Sequence, residues 1–230
     1  MTDGQTLLAA WEQGMLRAPQ HRADGVLKQL DGSDPPRSIG ERNRRLLNLH
    51  ISLFGDQVDL TSRCPSCDTT VQFAATCSAL TSVASEAEAP SHQFDIDGSL
   101  FEFRLPEASD VTLLACCEDQ HEFARRLVRR CLTGSADSEL SDATADALSR
   151  RMETLDPLAV VSFHLDCPDC AATWDAPLDV GRLLWTKVQT AAERLLLEID
   201  GLARAYGWTE RDVLVLAPIR RAAYLQLAEA

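Results

Sequence analysis

Two pairs of cysteines with the same short spacing are the residues of this chain best suited to chemistry. Both pairs have the pattern Cys-Pro-x-Cys, first at Cys64 and Cys67 and again at Cys167 and Cys170. A Cys-x-x-Cys turn directs its two sulfurs at one point, and two such turns supply the four thiolates of a tetrahedral structural zinc site. The spacing therefore predicts that these four cysteines bind one structural Zn²⁺.

The distance in sequence between the two pairs is unusual for a zinc ribbon. Residues 68–166, which number 99, separate them, whereas ribbons commonly have roughly 15–20 residues there. A long insertion is tolerated because the entropy of loop closure rises only with the logarithm of length. Two other interpretations stay open: knuckle-like turns with free thiols, and redox dithiols. The redox interpretation needs a strand-to-helix junction, and neither pair leads into a predicted helix.

The other cysteines and a nearby histidine are weaker candidates. Cys77, Cys116, Cys117 and Cys131 occur in helical segments or without a matching partner, where cysteine is usually a small buried apolar residue. We expect all four in the core. His164 precedes the second pair by three residues and is a possible additional ligand, although a histidine on a strand face is the simpler interpretation.

Apolar periodicity predicts an α+β fold that is mostly helical. Short strands flank each cysteine pair to form a split zinc ribbon, and Asp97-Gly98 predicts an additional β-hairpin over 93–104. Residues 78–91 are predicted as a loop, and helices are predicted over 109–117, 120–132 and 141–154. We expect one domain over 1–230, made of N-terminal helices (1–57), ribbon halves (58–77 and 158–180), an inserted hairpin with helices (78–157) and C-terminal helices (181–230).

The C-terminal region contains a long amphipathic helix, predicted over 181–206. Its apolar residues alternate at steps of three and four in the manner of a coiled-coil seam: Trp185, Val188, Ala192, Leu195, Ile199, Leu202 and Tyr206. Such a stripe fits either packing against the N-terminal helices or docking of another subunit. The paired arginines Arg129-Arg130 and Arg220-Arg221 are predicted to lie on solvated helix faces.

Charge and hydropathy exclude several classes of protein. The 230 residues include 22 basic and 35 acidic side chains, a formal net charge of −13, and a field of this sign repels phosphate backbones. The N-terminal sequence lacks the features of a signal peptide, and no apolar run approaches the roughly 18 residues of a membrane span. We expect a cytoplasmic protein with reduced thiols, without nucleic acid as a partner and without membrane insertion.

Motifs of catalysis are missing from the sequence. A zinc protease needs His-Glu-x-x-His, but the third residue after His121-Glu122 is Arg125. A Walker loop, a dinucleotide-binding glycine pattern and a Gly-x-Ser-x-Gly motif are also absent. Four thiolates would leave zinc no open position for substrate, as a metal-dependent hydrolase requires. We expect a protein that is not an enzyme and has no small-molecule substrate.

Several stretches together resemble a known family. They are Arg44–Gly55, the two cysteine pairs, Trp174, Leu184–Trp185, Arg194–Leu196, Leu202–Trp208, and Leu216–Arg221 with Tyr224–Leu225. In this order they look like the T4-type phage baseplate protein family of phage-tail-like contractile injection systems. The resemblance implies a non-enzymatic protein that belongs to the baseplate or hub, or that assists its assembly as a chaperone. Its partners would be baseplate or hub proteins of the same particle.

An alternative from another class is a zinc-ribbon adaptor in transcription or nucleic-acid processing. Such a protein needs basic and aromatic residues around the metal. Around the two cysteine pairs the sequence instead has Asp68, Asp166, Asp169 and Asp175, with Arg63 as the one adjacent basic residue. The sequence leaves open the oligomeric state, the direct partner, and whether the protein remains in the finished particle.

Overall fold

The computed structural model describes residues 4–83, 89–117, 119–133 and 140–228. In this part of the chain, helices and small antiparallel hairpins make a mixed, mostly helical fold, as the sequence predicts. The helices are α1 Gly4–Met15, α2 Arg22–Leu30, α3 Ile39–Phe54, α4 Cys77–Thr81, α5 Ala108–Leu114, α6 Gln120–Cys131, α7 Asp142–Leu155, α8 Val180–Tyr206, α9 Glu210–Leu214 and α10 Pro218–Ala228. The strands are β1 Gln57–Arg63, β2 Thr70–Thr76, β3 His92–Ile96, β4 Ser99–Phe103, β5 Ser162–Asp166 and β6 Thr173–Pro177.

The chain divides into two compact units. Unit 1 comprises residues 1–33, 49–55 and 180–230, and unit 2 comprises 34–48 and 56–179. Both predicted ribbon halves and the predicted insertion therefore lie in unit 2, whereas most of the N-terminal and all of the C-terminal helices lie in unit 1. The sequence analysis does not anticipate this division, and the expectation of one domain stays a prediction.

Helix α8 is the centre of unit 1. Its apolar stripe is buried through Leu202 and packs against α1, α9 and α10, which confirms the interpretation of the stripe as an internal packing face. Tyr206, the last residue of the stripe, is 38% exposed. At Gly14 of α1, the ring of Trp185 occupies the space that a Cβ would need. Glycine is therefore required there for α1 and α8 to approach closely.

Local capping signals set the ends of the helices in unit 1. Gly207 has a positive φ of 69° and ends α8, as glycine does where a left-handed residue is required. Thr209 and Asp212 form a capping box at the start of α9, and Pro218 begins α10. The prediction for Arg221 is wrong, however: this side chain is buried and forms an ion pair with Glu198.

The hairpin β3–β4 and helices α6 and α7 enclose the apolar core of unit 2. Asp97 and Gly98 both have positive φ, which confirms the predicted turn. The strands pair in register from His92 with Phe103 to Ile96 with Ser99. The fully buried members of the core, at 1% exposure or less, are Phe103, Cys131, Leu148 and Leu155.

Two boundaries in unit 2 differ from the predictions. Helix α5 ends at Leu114 rather than at 117, and Asp119 starts α6 by accepting hydrogen bonds from the N–H groups of His121 and Glu122. Helix α4 occupies Cys77–Thr81 and so overlaps the start of the segment 78–91 that is predicted as a loop. Residues 84–88 of that segment lie outside the described residues.

The first half of α3 is attached to the segment that follows α7. Ser38 accepts a hydrogen bond from the N–H of Glu41 at 3.1 Å, and the Glu41 carboxylate accepts one from the N–H of Arg37. The N–H of Gly40 donates to buried Asp156 at 2.9 Å. The Asp156 carboxylate lies where a Cβ of residue 40 would be, so only glycine fits there.

A buried carboxylate joins three elements of unit 2. Asp110 of α5, whose side chain is 1% exposed, accepts two hydrogen bonds from Arg104, at 2.7 and 2.9 Å. It also accepts from Arg130 of α6 at 3.0 Å and from the N–H of Glu107 at 3.0 Å. Burial acts to raise the pKa of Asp110, but the hydrogen bonds from Arg104 and Glu107 and the charge of Arg104 lower the pKa below its ordinary value.

We expect Asp110→Asn to reduce the free energy of unfolding by about 3 kcal/mol, because it leaves the guanidinium of Arg104 without its buried counter-ion. Urea denaturation followed by circular dichroism measures this change. Asp146→Asn, at an exposed position of α7, is the matched control and should alter stability by less than about 0.5 kcal/mol. Equal stability of the two variants would contradict the role of Asp110.

Candidate metal centre

The first cysteine pair lies in the turn between strands β1 and β2. The N–H of Cys64 donates to the carbonyl of Thr69 at 2.9 Å, and the N–H of Asp68 donates to the carbonyl of Cys64 at 2.9 Å. Asp68 has a φ of 62°, a left-handed conformation that aspartate tolerates better than most residues. These contacts fold the chain sharply enough for both thiols to point to the same side of the turn.

The second pair repeats this geometry between strands β5 and β6. The N–H of Cys167 donates to the carbonyl of Ala172 at 2.9 Å, and the N–H of Ala171 donates back to Cys167 at 3.0 Å. Ala171 has a φ of 58°, which is uncommon for alanine and costs on the order of 1–2 kcal/mol. The two turns therefore have the same hydrogen bonds, with a left-handed residue directly after the second cysteine in each.

The two turns bring all four sulfurs together. The four Sγ atoms lie within 4.8 Å of one another, and two contacts link one turn to the other: Cys64 to Cys170 at 3.6 Å and Cys67 to Cys167 at 3.5 Å. A tetrahedron of sulfurs at a Zn–S distance of about 2.3 Å has edges of about 3.8 Å. The predicted site residues are thus assembled in one group whose spacing fits a tetrahedral metal ion.

The sulfur group is half buried. Cys64 and Cys167, the first cysteine of each turn, are buried, whereas Cys67 and Cys170 are exposed. If the two turns are interchanged, Cys64 takes the place of Cys167 and Cys67 takes the place of Cys170. The 3.6 Å contact between Cys64 and Cys170 then corresponds to the 3.5 Å contact between Cys67 and Cys167. The group therefore has approximate two-fold symmetry, with one side facing the protein and the other facing solvent.

The thiols strongly perturb one another. Hydrogen bonding with the side chain and backbone of Thr69, together with the thiols of Cys170 and Cys167, lowers the pKa of Cys67 to about 6. At Cys170 the N–H of Ala172 acts to lower the pKa, but the proton shared with Cys67 and the other two thiols raises the pKa to about 12. One thiolate thus forms readily and the next does so with difficulty. A divalent cation at the centre removes this conflict, because it favours the thiolate form of every ligand.

Side chains of both hairpins contact each other around the cysteines. Thr69 donates a hydrogen bond to Asp169 at 2.7 Å, and the indole N–H of Trp174 donates to Ser62 at 3.2 Å. The rings of Phe73 and Phe163 lie 5.2 Å apart. Sequence reasoning missed these partners, although the aromatic residues in the strands next to each cysteine pair were a usable signal. They join the two hairpins beside the cysteine turns.

The structure places His164 and the four cysteines outside the sulfur group in different environments. His164 forms an ion pair with Asp175 at 3.0 Å and does not belong to the sulfur group. Cys77 and Cys131 are buried as expected, and burial raises the pKa of Cys131 to about 12. The expectation of core positions is wrong for the exposed Cys116 and the partly exposed Cys117, because α5 ends before them.

Comparison of the chain with protein-family models, with curated proteins and with solved structures finds no match. The geometry of the sulfur group is therefore the basis for assigning the site. Among the described helices, none combines the length and the apolar character needed to span a membrane.

We expect the purified protein to contain one zinc ion per chain, and the double variant Cys64→Ser/Cys167→Ser to contain none, because it removes one ligand from each turn. Plasma emission spectrometry measures the stoichiometry. Cys116→Ser replaces an exposed cysteine outside the group and should leave the zinc content unchanged. Wild-type protein without zinc, purified with no chelator present, would contradict the assignment.

Acid should release this zinc, because protons compete with the metal for thiolates. We expect full occupancy at pH 8 and release only at a pH below about 6, where metal-free Cys67 takes up its proton, because a bound cation lowers the pKa of its thiol ligands. A chromogenic chelator follows the released metal across a pH titration, and neutralisation with added zinc should restore binding. Zinc retained at pH 3 would argue against thiolate ligands.

Proposed function

We propose that the four cysteines bind a structural Zn²⁺ and that the two hairpins are the halves of a split zinc ribbon. The convergence of the four sulfurs from two equivalent turns carries this proposal. A metal there would tie β1–β2 to β5–β6 and close the chain around the core of β3, β4, α6 and α7. Sites of this kind contribute on the order of 10 kcal/mol to folding, which is comparable to the stability of a whole domain.

The proposed metal acts within unit 2. All four ligands belong to this unit, whereas in unit 1 the helices α1, α2 and α10 pack directly on α8. The N-terminal and C-terminal helices are therefore held together by apolar contacts, and zinc is not needed to join them. This assignment restricts the effect of metal loss to the part of the fold that contains the hairpins.

We further propose that the protein is a non-enzymatic structural or assembly protein of the baseplate or hub of a phage-tail-like contractile injection system. The sequence resemblance described above supports a role in such a particle or in its assembly. The closed set of four thiolates supports a structural metal rather than a catalytic one. Such a protein would work in the cytoplasm, where these particles assemble, with baseplate or hub proteins as its partners. It would act by presenting a rigid surface to them.

The distribution of charge favours this proposal over a nucleic-acid adaptor. Unit 2 contains 25 acidic and 12 basic residues, so it carries the whole formal charge of −13, while unit 1 contains ten of each. Phosphate backbones are repelled by such a field. At the two cysteine turns, the adjacent basic residue Arg63 is already paired with Asp68 at 3.1 Å. The ribbon surface therefore offers little to a polyanion.

Affinity purification from cells that express a complete injection-system gene cluster tests the proposed role. We expect the tagged wild-type protein to recover baseplate or hub proteins of that cluster, and the Cys64→Ser/Cys167→Ser variant to recover them in amounts reduced at least about tenfold. The Cys116→Ser variant is the control and should match the wild type. Recovery of RNA polymerase subunits, or of partners lost after nuclease treatment, would favour the zinc-ribbon adaptor instead.

A further inference from the structure

Unit 1 contains an open groove between α1, α8 and the turn that joins α9 to α10. The groove has a volume of about 490 Å³. Its apolar wall is formed by Leu7 of α1, Leu195 of α8, and Leu214 and Val215 of the α9 region. Leu195 is buried as part of the core, whereas Val215 is 75% exposed. An apolar side chain entering the groove would thus meet a surface that is continuous with the core of unit 1.

The polar residues of the groove are three arginines and one glutamate, a net charge of +2. Buried Arg221 donates to one carboxylate oxygen of Glu198 at 2.9 Å and to the carbonyl of Leu216 at 2.8 Å. Exposed Arg194 lies 3.3 Å from the other oxygen of Glu198. Among the described residues that line the groove, the one carboxylate is therefore shared between two guanidinium groups, and both of its oxygens are engaged.

The third arginine has no such partner. The Arg220 side chain is exposed and, within the described residues, forms no ion pair. It lies in the first turn of α10, where the helix dipole is also positive. The neighbouring Ile219 is 79% exposed. An exposed apolar side chain and an exposed cationic side chain are thus adjacent at the start of α10. Unit 1, to which they belong, has a formal charge of zero, whereas the whole chain has a formal charge of −13.

We propose that this groove binds an acidic segment of a partner protein that carries a large apolar side chain. Charge complementarity selects an acidic partner, because guanidinium groups bind carboxylates through paired hydrogen bonds. The apolar wall selects a peptide over a simple anion, since Val215 and Leu214 contribute only if an apolar group covers them. Polyphosphate backbones have no apolar group that could cover this wall.

Selection from a random peptide phage library on the immobilised full-length protein tests the proposal. We expect enrichment of peptides in which Asp or Glu adjoins Leu, Ile or Phe. Fluorescence anisotropy with the selected peptide then gives the affinity. Arg220→Glu should weaken binding by about 10- to 100-fold, the range for loss of a charged hydrogen bond. Lys187→Glu, an equal charge change at an exposed position of α8 outside the groove, should leave the affinity within about twofold.

A second variant tests the apolar wall without altering charge. Val215→Ser should weaken the binding of the same peptide by about tenfold, because the burial of one valine side chain contributes at least this much to affinity. Thermal melts of each variant report on folding, and both substitutions are at exposed positions. None of the groove residues belongs to the cysteine group, so zinc content, measured on the same preparations, separates failure of this proposal from failure of the metal site.

Several results would overturn the proposal. Enrichment without acidic residues, or equal binding by wild type and Arg220→Glu, would exclude charge recognition at the groove. Binding of a single-stranded DNA oligonucleotide that depends on Arg220 would assign the groove to nucleic acid. Self-association in sedimentation experiments that Arg220→Glu abolishes would assign it to a second copy of this chain.

Discussion

The meeting of four sulfurs is the constraint on which unit 2 depends. Each cysteine turn closes a hairpin of only two strands, and isolated hairpins of this size are marginally stable in water. Four thiols this close also share protons: the neighbouring thiols help to lower the pKa of Cys67 and raise that of Cys170. A bound divalent cation would reverse both effects, since it ties the hairpins together and stabilises the thiolates. Contacts between the two hairpins of unit 2 keep the two turns close to each other.

The two units are stabilised by different interactions. Unit 1 is built on the apolar stripe of α8, with close approach of helices where Gly14 leaves room for Trp185. Unit 2 combines the sulfur group with a compact apolar core and the buried carboxylate of Asp110, which holds Arg104 and Arg130. The four thiols of unit 2 would respond to both pH and metal, whereas the buried ion pairs, Asp110 with Arg104 in unit 2 and Glu198 with Arg221 in unit 1, respond to pH. Metal content would therefore act on unit 2, while acid acts on both units.

This division separates the surfaces available for binding. Unit 2 carries all of the excess negative charge, while the groove of unit 1 exposes Arg220 next to apolar side chains. Opposite local charges on one chain permit selective contacts with different partners, since each surface repels what the other attracts. For a protein proposed to assist assembly of a large particle, such selectivity suits ordered addition of components.

The sequence by itself determined those features that depend on residues a few positions apart. The cysteine spacing predicted two tight turns that each pair their sulfurs, and Asp97-Gly98 predicted the hairpin, because each is formed by contacts within one turn of chain. The three-four spacing of the α8 stripe likewise predicted a buried face.

Only the tertiary structure decided which distant residues meet. It placed the sulfur of Cys64 beside that of Cys170, buried Arg221 against Glu198, and left Cys116 in solvent. It also divided the chain into two units and gathered three arginines at one groove. Contacts between residues far apart in sequence depend on how all the elements pack, and that information is absent from the local patterns that specify helices, strands and turns.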